Sequence, residues 1–483
     1  MSNRGRASAG GDAVAEGEGF GAGARVLSVG IASTGLFTFA YLAAASHVLS
    51  PADYSHVSLA WAVMYVILSV IYRPIDQLLA RTIAEGLARG RGRHPLRVVA
   101  ILQAGFAAVF LAAVLLLRHP VEHGMFAGST TLYWVLVIGV LAYAGSYFAR
   151  GWLAGYEAFA LYGVLVFIES FSRFAFAFAA ALGIARGLST VALGMVAAPF
   201  ASLAVIPFAR PFVRRRVLAA TQAQPGARDA VLASGDRGLG VGEPELEVAA
   251  DRGAGELTLR QGTGFASALL AIMLSEQALM NAGVLVVAAS VGARDLQSGI
   301  TGFVFNVMLI VRAPLQLFQA VQTSILPHLT GLEARERGAA FRRAVRTTVL
   351  ACGGFGLTVA LGLLAVGPPV MRALLGDKGF HYGRLGLAAV GLGMGLHLVA
   401  GTFNQAQLAR GQAGRSAVCW VTSAALFVAF QLVDLVGSRV TRVEVGYCGA
   451  ALLLCLMLFA VDRMSQSVPG GRPIGGEHPV ASA

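Results

Sequence analysis

A chain of 483 residues that is only 13% charged and 56% hydrophobic, with mean hydropathy +0.70, is not a soluble globular protein, because such a protein carries about 25% charged residues. Apolar blocks of about 20 residues recur from end to end, each long enough to cross a bilayer, and their continuous rather than alternating character excludes a transmembrane β-barrel. The net charge of +12 is almost all Arg, with Lys378 the single Lys; in a polytopic α-helical membrane protein that excess belongs to cytoplasmic loops, not to a nucleic-acid surface.

The chain opens with a polar segment, 1–25, rich in Gly and Ala and without an early apolar core. No cleavable signal is legible, so the first apolar block is expected to start the integral protein. Twelve spans are predicted at about 26–48, 56–82, 97–117, 131–150, 157–184, 189–208, 264–291, 298–325, 346–366, 384–409, 415–436 and 444–462. Of the 37 basic residues, 25 fall on the side of the N terminus and eight on the other. Both termini are therefore predicted to be cytoplasmic. A polar tail, 463–483, is predicted to be disordered.

Between the sixth and seventh spans the composition changes. The stretch 211–262 begins "RPFVRRRV" and continues "GDRGLGVGEPELEVAADRGAGE", too polar to bury a core, and it reads as a flexible cytoplasmic linker. It separates an N-terminal six-helix lobe, 26–210, from a C-terminal one, 263–462. An even number of spans per half suits lobes related by an axis along the membrane normal. The second span ends "IYRPIDQLLARTI" and its counterpart, the eighth, contains "IVRAPLQLFQAVQ", a short echo in line with that division.

Ionisable residues inside the spans are the candidate functional groups. In "VFIESFSRFAFAF", Glu169 and Arg173 lie roughly 18 Å and 24 Å along the fifth span at 1.5 Å per residue. Their i, i+4 spacing puts them on one face in the favourable order. Two readings stand: a neutralised pair that fixes helix packing, or a pair facing a water-filled cavity between the lobes. The seventh span adds Glu276, Gln277 and Asn281. The eighth adds Asn306, Arg312, Gln316, Gln319 and Gln322, and the tenth His397, Asn404, Gln405 and Gln407. So many polar side chains in successive helices point to an aqueous path. Arg73 lies late in the second span, with Asp76 three residues on, and is open to both a pathway role and a role as a headgroup anchor.

Nothing in the sequence points to covalent chemistry. Walker, HExxH and GxSxG patterns are missing, and Cys352, Cys419, Cys448 and Cys455 lack metal-ligand spacing. The expectation is a protein that is not an enzyme, with no metal and no cofactor.

Three stretches carry a family resemblance: "AAASHVLSPADYSHVSLAWAVMYVILSVIYRPIDQLLARTIAE", "RGWLAGYEAFALYGVLVFIESFSRF" and "LPHLTGLEARERGAAFRRAV". They resemble the polysaccharide biosynthesis (O-antigen flippase-like) branch of the multidrug/oligosaccharidyl-lipid/polysaccharide exporter superfamily. The matching features are an early helix pair joined by a small Leu/Pro turn, a fifth helix carrying Gly155, Tyr162, Gly163, Glu169 and Arg173, and an eighth helix ended by Pro327. The resemblance implies an all-α membrane protein of about twelve helices, in two six-helix lobes around a central cavity. It also implies alternating access that moves a polyprenyl-pyrophosphate-linked glycan across the cytoplasmic membrane; coupling to a cation gradient or the membrane potential is left open by the residues. Membrane lipids and glycan-assembly enzymes are the implied partners. Arg73, Glu169, Arg173, Glu276, Asn281, Arg312 and Gln316 are the expected cavity residues, with Arg side chains offsetting the diphosphate charge and amides meeting sugar hydroxyls. Rival readings are a lipid-linked peptidoglycan precursor flippase, a cation-coupled drug exporter of the same fold and, in a different class, an integral-membrane glycosyltransferase or polymerase. The last usually carries a large extracytoplasmic loop, for which this chain has little room.

Overall fold

The structure, a computed structural model, describes residues 26, 29–88, 96–185, 187–222, 259–290, 299–312, 314, 315, 318, 329, 338–376 and 379–467. Among these residues the regular structure is all helical. Eleven helices are long and apolar enough to cross a membrane, and a shorter apolar one completes a set of twelve. They are α1 (Val29–Val48), α2 (Pro51–Ala84), α3 (Leu96–Leu116), α4 (Thr130–Gly155), α5 (Phe159–Ala181), α6 (Leu188–Leu218), α7 (Ser267–Ser290), α8 (Ile300–Arg312), α9 (Gly338–Leu375), α10 (Arg384–Ala409), α11 (Ala413–Leu432) and α12 (Arg439–Met464). Among the described residues each predicted span holds a helix, the eighth over 300–312.

Local chemistry sets the boundaries. Ser50 caps α2, accepting a hydrogen bond from the Asp53 amide at 3.1 Å, with Pro51 in the first turn, where its missing N–H costs nothing. Ser129 caps α4 in the same way. Helix α4 gives way to α5 through Glu157, which takes a left-handed backbone (φ 58°) and turns the chain within a few residues. Some ends lie beyond the predicted spans. The helix of α6 runs on through Arg214, Arg215 and Arg216 to Gln222, that of α7 begins at Leu259, and that of α12 runs to Ser467. The polar segment 1–25, the greater part of the linker and the last sixteen residues lie outside the described residues.

Helix α2 is not uniform. Leu68–Tyr72 forms a π-helical turn directly before Arg73 and Pro74. Pro74 lacks the N–H that the Val70 carbonyl would accept, and its ring crowds that carbonyl. The wider turn absorbs both effects, and such turns concentrate at functional sites.

Packing is strongest within each half: α5 on α6 and α2 on α4 in the first, α9 on α10, α10 on α12 and α7 on α11 in the second. Glycine permits the closest approaches. A Cβ on Gly356 of α9 would lie 2.3 Å from the Gly395 Cα of α10, and one on Gly151 of α4 would lie 2.5 Å from the Asp76 carbonyl oxygen. Between the halves, α2 touches α7, and the helix ends remote from the start of α1 are joined by hydrogen bonds. There Tyr54 donates to Asn306, Ser46 to the Leu375 carbonyl and the Gly302 amide to Ser55 (3.1 Å), while His47 meets the Ala373 carbonyl at 3.1 Å.

Candidate functional site

Glu169 lies about 15 Å along α5 and is 3% exposed. It is not the isolated partner of Arg173. Its Oε2 lies 2.6 Å from Arg150 Nη2 of α4 and accepts from the Ser146 hydroxyl at 2.8 Å, whereas Arg173 reaches Oε1 at 3.3 Å. Arg173 also donates to the Tyr143 hydroxyl at 2.6 Å and to Thr38 of α1 at 3.3 Å, with its guanidinium 4.6 Å from the Trp61 ring centre. Arg150 lies 4.5 Å from the Tyr147 ring centre. One carboxylate thus serves two guanidiniums, leaving a net positive charge on these three groups, and the Nε of each Arg has no hydrogen-bond partner among the described residues. A buried cation set short of counter-charge is costly to keep and disposed to take an anion.

These groups border a cavity of about 350 Å³ enclosed by α1, α2, α4 and α5. It runs from Thr38, Trp61 and Tyr143 near mid-helix toward the end where α1 begins, past Arg73, Asp76 and Gln77 of α2 and Arg150 of α4. The π-turn of α2 presents Leu68, Ser69 and Arg73 together to this space. Arg73 and Asp76 are half-buried and make no ion pair within 4 Å among the described residues. The wall therefore carries three cations (Arg73, Arg150, Arg173) against two carboxylates (Asp76, Glu169).

The candidate residues divide between two places. Arg73, Glu169 and Arg173 line the cavity. Glu276 sits half-buried on α7, near enough across the lobe boundary to interact electrostatically with Arg73. Asn281 and Arg312 form a second cluster: Arg312 donates to Asn281 Oδ1 at 2.6 Å and to the Met280 carbonyl at 3.4 Å, and lies 4.5 Å from the Phe305 ring centre. Arg312 is 7% exposed, its Nε and Nη1 have no partner, and no carboxylate lies within 4 Å of it among the described residues. A narrow void lined by Thr38, Trp61, Tyr65, Leu309 and Arg312 lies against the main cavity, sharing its Thr38, Trp61 and Tyr65 wall. Gln316, Gln319 and Gln322 lie outside the described residues.

The described lining of this cavity comes from α1, α2, α4 and α5, while the narrow void beside it is bounded by both lobes, through Thr38, Trp61 and Tyr65 on one side and Leu309 and Arg312 on the other. The polar residues of the tenth span do not line the cavity. His397 meets the Tyr447 hydroxyl at 3.1 Å, Asn404 accepts from Ser416 and Trp420, and Gln407 donates to the Leu458 carbonyl at 2.9 Å, all within the C-terminal lobe. They hydrogen-bond helix to helix. Sequence reasoning also missed Arg150, which it counted among loop residues because a guanidinium at the end of an apolar block reads as a flank. The apolar continuation "GWLAG" after it was the available signal, since α4 runs on to Gly155.

No family model and no curated protein matches the chain. Solved structures do. An inward-facing multidrug resistance MATE family transporter of the MOP superfamily superposes with TM-score 0.62 at 12% identity, covering 90% of this chain and 94% of that one. The outward-facing form of such a transporter gives 0.58 at 14%, covering 92% and 94%. A Vibrio cholerae MATE transporter, VcmN in the bent form, gives 0.53 at 15%, covering 92% and 97%. At such identities the likeness speaks for the fold alone: this chain has the all-helical, about twelve-helix fold of the MATE transporters of the MOP superfamily.

Proposed function

We propose that this chain is a membrane transporter that flips a lipid-linked oligosaccharide or polysaccharide precursor across the cytoplasmic membrane by alternating access. The observation that carries the reading is the cavity with the void beside it, where Arg73, Arg150, Arg173 and Arg312 outnumber Asp76, Glu169 and the Glu276 that faces Arg73. A diphosphate headgroup is anionic, and guanidiniums shielded from bulk water match it with paired, charge-assisted hydrogen bonds. Tyr65, Tyr143, Tyr147 and Tyr162 offer hydroxyls and ring faces to sugar residues. The volume is within the range of small-molecule sites, and no group poised for covalent chemistry accompanies it. The fold, shared with transporters captured inward- and outward-facing, supplies the two states that alternating access needs.

On this reading both termini are cytoplasmic, as the distribution of Arg predicts. The hydrogen-bonded junction at Ser46, Tyr54 and Asn306 is then the closed outer end, and the cavity extends toward the cytoplasm. Reporters active only outside the cell should be silent at Gly240 and active at Gly376; the reverse would overturn the orientation. The decisive assay is flipping of a polyprenyl-diphosphate-linked sugar by the purified protein in liposomes, read by accessibility of the sugar to a membrane-impermeant enzyme. Transfer no faster than in empty liposomes would end this reading. A cation-coupled drug exporter is the second reading. It is favoured by Asp76, a cavity carboxylate with no ion pair among the described residues, and predicts instead that lipophilic cations are moved and lipid-linked sugars are not.

A further inference from the structure

One wall of the cavity is a single seam between α1 and α5. Thr34 and Thr38 of α1, with Val166, Glu169 and Arg173 of α5, face the cavity. The outer side of the same two helices carries a run of rings. Phe37 packs edge-on against Phe167 (5.6 Å) and Phe171 (5.4 Å) and lies 5.6 Å from Phe174. Phe167 stacks on Phe171, and Phe174 on Phe178. Phe167, Phe171 and Phe178 are 41%, 47% and 48% exposed, so an aromatic surface faces the bilayer one helix away from the buried guanidiniums.

Two other joints of the cavity are held by close backbone contact or by charged hydrogen bonds. Helices α2 and α4 meet backbone to backbone at Gly151 and again where Gly155 meets Ala80 and Ile83, while α4 and α5 are tied by the Arg150–Glu169–Ser146 bonds. The α1–α5 seam is pinned at one end, where a Cβ on Gly30 would lie 2.6 Å from the Gly163 carbonyl oxygen. Beyond that point the hydroxyls of Ser33 and Thr34 turn back onto the Gly30 carbonyl, and that of Ser170 turns back onto Val166. Among the described residues a side-chain hydrogen bond crosses the seam from Arg173 to Thr38, 3.3 Å long and so weak for a charged donor.

We propose that the α1–α5 seam is a lateral gate: while the anionic head of the substrate occupies the cavity, its hydrocarbon tail lies between the two helices, against the Phe37–Phe167–Phe171–Phe174–Phe178 surface. This rests on the proposed function and adds the path of the tail. A long apolar chain gains nothing by entering a cationic, hydrated space, and the head cannot leave the guanidiniums for hydrocarbon. The molecule must straddle a wall, and this wall has the cavity on one side and the exposed rings on the other. Arg173 is at once a ligand for the head and the seam's hydrogen-bond donor, so turning it to the anion releases Thr38. The rings then offer the tail a large apolar area at little cost in rotamer freedom.

The test places a photo-reactive benzoylphenylalanine at Phe171 or, as a bilayer-facing control on α6, at Phe200 (56% exposed). Each full-length variant goes into phospholipid liposomes holding a few per cent of the polyprenyl-diphosphate-linked sugar, and flipping is measured before illumination. The expected result is capture of the polyprenyl lipid at Phe171 about tenfold above Phe200, falling to the control level when Arg173→Gln is added or when free polyprenol replaces the diphosphate lipid. Flipping with equal capture at the two positions, or capture of phospholipid alone at Phe171, would overturn the gate and leave the proposed function standing. No flipping by the unmodified protein would remove both.

Discussion

The two lobes are built from the same materials, apolar helices seeded with Arg, Glu, Asn, Gln and Ser, and use them differently. In the C-terminal lobe His397 meets Tyr447 and Gln407 meets the Leu458 carbonyl on a neighbouring helix, while Arg410 pairs with Asp462 at 2.5 Å. Helices α9 and α10 touch at Gly356 and Gly395, and there is no room between them. In the N-terminal lobe α2 widens into a π-turn ahead of Pro74, and a cavity remains with three cations on its wall. The contrast teaches that polar residues in membrane helices do not by themselves mark a pathway. What marks one is charged groups gathered around a void.

The comparison breaks most sharply at Glu169. Removing its carboxylate by Glu169→Ala leaves Arg150 and Arg173 buried without counter-charge, which should cost about 3–5 kcal/mol. Thermal unfolding of the purified protein in detergent reads this; a loss under about 1 kcal/mol would mean that the two guanidiniums are already offset by water or lipid.

Next in size is Arg173→Gln, which should slow flipping about 10- to 100-fold per folded molecule, the worth of a hydrogen bond to a charged group. Adding Glu169→Gln should not restore it, because the loss is of an anion ligand and not of a neutral pair. Full transport by the double variant would reduce these residues to a packing role. Arg312→Gln should act in the same direction, since one guanidinium is a weak match for a diphosphate.

At the α9–α10 contact of the C-terminal lobe the expected effect is on stability alone. Gly356→Ala forces a methyl into the α9–α10 contact and should cost about 1–3 kcal/mol, seen as a lower thermal midpoint with unchanged flipping per folded molecule. A specific loss of flipping would place α9 and α10 in the transport path. The smallest effect is expected from removing about Gln222 to Ala254, which should leave thermal midpoint and export near the parent values. A protein that no longer inserts would give that segment a structural part.

Much of the fold was legible because hydropathy and length are local quantities. Each of the twelve apolar blocks holds a helix among the described residues, and in the tenth the predicted 384–409 is also the observed helix. Glu169 and Arg173 stood out because ionised groups in hydrocarbon are costly wherever the helix goes. What each polar group meets is not local. The sequence places Arg173 four residues from Glu169, but the nearer guanidinium is Arg150, 19 residues away on another helix. Nor can it tell that Gln407 ends on a carbonyl 51 residues on while Arg73 ends on a cavity. The amino-acid sequence by itself determined that this chain crosses a membrane about twelve times and which charges must be housed there, because the bilayer enforces apolarity residue by residue. Only the tertiary structure decided which of those charges share a void, because that depends on how closely glycine lets one pair of helices approach and how far a π-turn holds another pair apart.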